Sequence, residues 1–138
     1  MSPPDEPLLD AIERIREQDP RFRREAYLFV VAALAHAVDA MPATRREDPE
    51  RRHLHGREVL AAAVELARRE FGPLAGTVFR EWGVTDARDV GEIVFQLVAA
   101  GQLSAREQDR LEDFAGGPAL LDALAVPGPR ATRRGGGA

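Results

Sequence analysis

Apolar residues recur with helical spacing along most of the chain. Leu8, Ile12 and Ile15 lie three to four residues apart, which predicts a helix over 7–18. A longer apolar segment follows Asp19-Pro20, a carboxylate and a proline in the order typical of a helix start, and it predicts a helix over 20–41. Its apolar positions cover more than half of the helix circumference, which is typical of a helix at the centre of a bundle.

The same periodicity predicts further helices beyond residue 55. Gly72-Pro73 interrupts the pattern, because proline cannot continue the helical hydrogen bonds, and Thr85 is the expected N-cap of a later helix that begins at residue 86. Residues 93–98 are apolar enough to form a strand, but capping signals at both ends of the segment favour a helix. The predicted helices span 56–71, 73–82, 86–100 and 105–112, with a last helical turn at Leu120, Leu121 and Leu124.

These elements predict an all-α protein that forms a single compact bundle of about six helices with short loops. A chain of 138 residues buries enough surface to hold such a core without disulfides or metals. We expect a helical domain over 7–126, with a polar connector at 42–55. Residues 1–6 are expected to form a flexible acidic N-terminus, and residues 127–138 a disordered basic tail rich in Gly, Pro and Arg.

Composition removes several classes of function. The absence of cysteine excludes disulfides, thiolate nucleophiles and Cys-ligated zinc. The net charge of −4 gives the whole chain no attraction to nucleic acid or to anionic lipid. No apolar stretch approaches the roughly 20 residues that cross a bilayer, and the N-terminus lacks the features of a secretory signal, so we expect a cytoplasmic protein.

An ordered series of short motifs resembles a known family. The series comprises Asp19-Pro20-Arg21-Phe22, Ala26-Tyr27-Leu28-Phe29-Val30, Arg52-His53-Leu54-His55-Gly56, Phe71-Gly72-Pro73-Leu74-Ala75, Trp82-Gly83-Val84, Gly91-Glu92-Ile93-Val94-Phe95-Gln96-Leu97-Val98 and Asp113-Phe114. It is similar to a conserved small-protein family of unknown function, described as a planctomycete–verrucomicrobial conserved hypothetical protein. The resemblance covers about residues 8–124 and implies a single-domain cytosolic bacterial protein, with no activity to transfer. One departure is His55, where the family pattern has a hydroxyl residue that would form a capping box with Glu58.

No constellation of residues identifies a reaction. His53 and His55 alternate in the connector beside several carboxylates, but they lack a third spaced ligand, so we expect no metal, and the sequence indicates no cofactor or catalytic residue. Glu92 lies among apolar residues, where burial raises the pKa of a carboxyl and suits it to acid–base work. The alternatives are that Glu92 is solvated, or that it forms a structural ion pair with Arg52 or Arg57 across the bundle.

Three functions remain open. The first is a non-enzymatic interaction module, an adaptor or regulator that binds a protein partner or itself through Arg52, His53, Arg57, Trp82 and Glu92. The second is association with RNA or the ribosome through the Arg-rich segment 45–57, by Arg45, Arg46, Arg51, Arg52 and Arg57. The third is a small enzyme that uses His53 and Glu92 as acid and base, which requires both side chains to meet in one pocket.

Overall fold

The computed structural model describes residues 6–103 and 119–125, and every regular element in those ranges is helical. The helices are α1 (Glu6–Gln18), α2 (Arg24–Ala40), α3 (Ala43–Arg46), α4 (Gly56–Phe71), α5 (Ala75–Trp82), α6 (Ala87–Ala99) and α7 (Leu120–Ala125), with a 3₁₀ turn at Gly72–Leu74. The all-α prediction is therefore confirmed, and residues 93–98 are helical. The predicted helix over 105–112 and the predicted tail over 127–138 lie outside the described residues.

The start of α2 differs from the prediction. Asp19 does not cap this helix, because its carboxylate instead accepts hydrogen bonds from the side chains of Arg21 and Gln96. The chain turns through the next residues, and α2 begins only at Arg24. The Asp19 Oδ1 also accepts from the backbone N–H of Arg21 at 3.3 Å, so the carboxylate is used in a local turn and in a contact with α6 instead of at the start of α2.

Other boundaries were also set by side-chain hydrogen bonds. Asp86, not Thr85, is the N-cap of α6, and its carboxylate accepts from the backbone N–H of Arg88 at 2.9 Å. The Asp89 carboxylate in turn accepts from the backbone N–H of Asp86 at 3.0 Å, which completes a capping box. The predicted polar connector contains one helical turn, α3, and Glu6, assigned to the flexible N-terminus, belongs to α1.

Helix α2 occupies the centre of the bundle, as its apolar circumference predicted. It packs against α1, α4, α5 and α6, and its contact with α4 is the most extensive between any two helices in the described part of the chain. The large side chains that are almost fully buried come from three helices and the α1–α2 loop; they are Ile12, Phe22, Tyr27, Val90, Ile93 and Leu97. The core therefore forms where α1, α2 and α6 meet.

Helices α2 and α4 run antiparallel, and each contributes a fully buried alanine. His36 faces Glu65 and Phe29 faces Phe71, so residue numbers fall along α4 as they rise along α2. In this register Ala33 lies level with Ala67, and both are 0% exposed. Small side chains at such a contact let two helix axes approach closely.

Four aromatic rings join α5 to the α2–α4 pair, at the end where α2 begins and α4 ends. The rings of Phe29, Phe71 and Phe79 all lie 5.4–5.7 Å from the ring of Trp82, centroid to centroid. We call this set the aromatic cluster. Helix α7 packs nearby against α4 and α5. No helix in the described ranges is both long enough and apolar enough to cross a membrane.

Candidate functional site

Two clusters of polar side chains lie at opposite ends of α2. The first, which we call the corner network, joins the α1–α2 loop to α6. The Arg21 guanidinium donates to the Asp19 carboxylate at 2.9 Å and to the Glu92 carboxylate at 3.1 Å. These hydrogen bonds hold the pKa of Asp19 below its usual value and raise that of Arg21.

A buried tyrosine extends the corner network into the core. The Tyr27 hydroxyl donates to the side-chain oxygen of Gln96 at 2.8 Å, and the Gln96 amide donates to Asp19 at 3.0 Å. Burial raises the pKa of Tyr27 to about 12, so its hydroxyl stays protonated. The network contains two carboxylates, a guanidinium, an amide and a phenol, but each is engaged with another member, which is how structural polar networks are satisfied.

Glu92 belongs to this network and has a partner the sequence did not suggest. It pairs with Arg21, which is 71 positions away in sequence, so of the three alternatives the structural ion pair is present, but with Arg21 and not with Arg52 or Arg57. The carboxylate is half-exposed, and its ion pair with Arg21 joins α6 to the α1–α2 loop. Sequence patterns do not report contacts at this separation.

The second cluster organises the connector around one guanidinium. Arg45 donates to both carboxylate oxygens of Glu58, at 2.5 and 2.7 Å. The same guanidinium donates to the backbone carbonyl oxygens of Arg51 at 2.6 Å and of His53 at 2.9 Å. A planar fork with several donors is what allows one side chain to hold three separate groups. We call this arrangement the Arg45 hub.

Glu58 connects the hub to the start of α4. Its carboxylate accepts from the backbone N–H of His55, the N-cap residue, at 2.9 Å. The carboxylate half of a capping box is thus present although His55 replaces the hydroxyl residue. The hydrogen bonds from Arg45, followed by the one from His55, lower the pKa of Glu58 to about 2.

Four exposed arginines surround the hub. Arg46 follows Arg45 directly, Arg51 supplies one of the carbonyls that the hub binds, and Arg57 precedes Glu58. Arg52 lies between the two residues whose carbonyls bind the hub. These four side chains are exposed, whereas Arg45, predicted to bind phosphate with them, is engaged internally by Glu58.

The remaining predicted site residues are dispersed. His53 is half-buried at the connector, and Glu92 lies in the corner network at the other end of α2, a helix about 25 Å long. The structure therefore does not bring together the two groups of the acid–base hypothesis. Trp82 is half-buried within the aromatic cluster. Among the described residues, no group of three or more His, Asp or Glu side chains is arranged to hold a metal ion.

The hub predicts a specific acid sensitivity. Glu58 has a folded pKa of about 2 against an ordinary value of 4.5, so its stabilising contribution is complete above about pH 4.5 and is lost as the pH falls toward 2. Between pH 5 and pH 3, we expect the free energy of unfolding to fall by about 1–2 kcal/mol more in the wild type than in Glu58→Gln. The difference is no larger because solvent screens a carboxylate that is 34% exposed. Urea titrations at pH 5, 4 and 3 measure this difference. Parallel pH profiles for the two proteins would contradict the assignment.

No family model, curated protein or solved structure matches the chain. The features that bear on function are therefore the two polar clusters and the surfaces around them.

Proposed function

We propose that the protein is a non-enzymatic helical interaction module that binds an acidic partner protein through the four arginines around the Arg45 hub. The observation that carries the proposal is the hub itself. One guanidinium fixes the backbone from which Arg51, Arg52 and Arg57 project, while their own side chains stay exposed. Arginines on a fixed backbone lose less conformational freedom on binding than arginines on a mobile loop.

The charge around the hub favours a protein partner. Glu47, Asp48 and Glu50 alternate with the arginines, and the whole chain carries a net charge of −4. These acids lower the average potential that a continuous polyphosphate would meet. They do not prevent individual guanidiniums from forming paired hydrogen bonds with carboxylates at discrete positions on a protein.

The distribution of apolar surface supports a polar interface. In the described residues, the large hydrophobic side chains that are exposed are Val38, at 40%, and Leu74, at 63%. The apolar residues of α2 and α6 are mostly used within the bundle. A partner that binds the described surface therefore contacts mainly charged groups.

RNA is the second candidate, because the same four guanidiniums can contact phosphates. The two candidates differ in what nuclease treatment does to a captured complex. They also differ in salt dependence, since each phosphate contact releases counterions and steepens the loss of affinity with salt.

Charge reversal tests the proposal. Arg51→Glu/Arg52→Glu alters two exposed arginines beside the hub, and Arg14→Glu/Arg88→Glu makes the same change of charge on α1 and α6. Affinity capture from native cells with quantitative mass spectrometry should recover an acidic protein with the wild type and the control pair. We expect recovery to fall at least tenfold with the connector pair and to be unchanged by nuclease.

Two results would count against this function. Loss of the captured material after nuclease treatment would favour RNA instead of a protein. Equal recovery by all three proteins, or recovery of no partner by any of them, would remove the arginines around the hub as a binding surface.

A further inference from the structure

Helix α7 is attached to the bundle by apolar contacts. Leu120 and Leu124, four residues apart on one face, are 3% and 4% exposed, and Leu121 is half-buried beside them. Within the described ranges, no hydrogen bond or ion pair joins α7 to another helix. By contrast, α6 is tied to the α1–α2 loop through the corner network.

A helix this short does not form by itself. Helix α7 has six residues, and isolated helices shorter than about 12–15 residues are marginal in water. Its folding and its docking must therefore be one step, and undocking returns the segment to coil. Elements of this kind open at lower free energy than the core does.

The surface under α7 does not depend on α7 for its shape. Helices α4 and α5 form this surface, and both also pack against α2, while the aromatic cluster joins them at Phe71, Phe79 and Trp82. We call the surface of α4 and α5 that α7 covers the α7 seat. Because these contacts remain when α7 leaves, an empty seat keeps its form and exposes apolar surface.

We propose that α7 is an exchangeable element, and that the α7 seat of one copy of the chain accepts α7 from a second copy, giving a dimer by reciprocal exchange. The occupant is defined by the structure, since the segment in the seat shows which side chains fit it. A second copy carries the same leucines at the same spacing. Exchange replaces each contact by an identical one, so it adds no new interface that would need to be stable alone.

Chain length permits the exchange. Helix α6 ends at Ala99 and α7 begins at Leu120, so twenty residues connect them, and a fully extended chain of that length spans at most about 66–72 Å. A domain of this length has a radius of gyration of about 14 Å, so a second seat is within reach. At low protein concentration the chain's own α7 has the advantage, because its effective concentration at the seat is on the order of millimolar.

A labelled peptide tests the seat in the full chain. Leu120→Asp/Leu124→Asp puts two carboxylates where the buried leucines were and empties the seat, whereas Ala119→Asp/Ala125→Asp adds the same charges at exposed positions. We expect a peptide of residues 117–127 to bind the first variant at least tenfold more tightly than it binds the wild type or the control. The same peptide with both leucines changed to Asp should not bind.

Two measurements on the unmodified chain complete the test. In native-state hydrogen exchange, the amides of α7 should exchange at least tenfold faster than those of α2. After incubation at millimolar concentration, size-exclusion chromatography should show a dimer that Leu120→Asp/Leu124→Asp does not form. The proposal is overturned if α7 exchanges only with global unfolding, if no dimer forms, or if the folded variant binds no peptide. The connector arginines play no part in these outcomes, so they are independent of the proposed function.

Discussion

Gly83→Ala should lower the free energy of unfolding by about 3–5 kcal/mol, a large part of the total for a domain of this size. Gly83 ends α5 at φ 86° and ψ 8°, a left-handed conformation that a side chain disfavours. A Cβ at this position would also clash with the backbone carbonyl oxygen of Arg21. Since a backbone atom cannot rotate away, the α1–α2 loop would have to move from α5.

The loop is held to α5 where this movement would occur. The N–H of Arg23 donates to the carbonyl oxygen of Trp82 at 3.0 Å, and the N–H of Val84 closes the end of α5 on Phe79 at 2.8 Å. We therefore expect the substitution to strain both the loop contact and the helix end. Urea denaturation followed by circular dichroism measures the loss.

Gly101→Ala is the matched control. Gly101 has a similar φ of 77°, but among the described residues nothing lies within 4 Å of an added Cβ. Gly101→Ala should therefore lower the free energy of unfolding only by the conformational cost of a positive φ, about 1 kcal/mol. Equal losses for the two variants would show that the close approach to Arg21 does not matter.

Phe79→Ala should destabilise the protein by about 3–5 kcal/mol, because it leaves a cavity under the aromatic cluster. Phe79 is 2% exposed, and its ring lies 5.5 Å from the rings of both Phe29 and Trp82. The substitution removes packing from α2 and α5 at once. It also leaves Trp82, the chain's single tryptophan, without its stacked neighbour, so the emission of the folded protein should shift to longer wavelength.

Leu74→Ala supplies the comparison for this cavity. Leu74 is apolar and lies in the turn just before α5, but it is 63% exposed. Its replacement should change the free energy of unfolding by less than about 0.5 kcal/mol. If thermal and urea denaturation showed similar losses of stability for Leu74→Ala and Phe79→Ala, burial of Phe79 would not be what stabilises this end of the bundle.

Sequence patterns located helices best where local signals agreed. Helix α4 has its predicted bounds, Gly56–Phe71, because Glu58 satisfies the start of the helix and Gly72-Pro73 ends it. Asp19 failed as a cap because its carboxylate binds Gln96, 77 positions away in sequence. A capping signal of this kind is local, whereas competition for the carboxylate is tertiary.

The polar clusters were less accessible to prediction. Arg45 was grouped with four other arginines by proximity in sequence, and nothing in that pattern distinguished the one that turns inward. Its partner Glu58 stands out in the sequence only by its position three residues after His55. Arg21 and Tyr27 were absent from the predicted site, since an arginine near a proline and an apolar tyrosine carry no signal of a shared network.

The alanines between α2 and α4 have a consequence for how the bundle tolerates change. Alanine loses no rotamer entropy on burial, so this contact costs little to order, but each methyl group contributes little area. The contact has larger apolar side chains at one end, where Phe29 meets Phe71, but around Ala33 and Ala67 it relies on dispersion between close backbones, which weakens within a fraction of an ångström of separation. The spacing between α2 and α4, the two longest helices of the described chain at 17 and 16 residues, is therefore tightly constrained. A single methylene added at Ala33 or Ala67 would push the two helices apart, and the shift would extend along both.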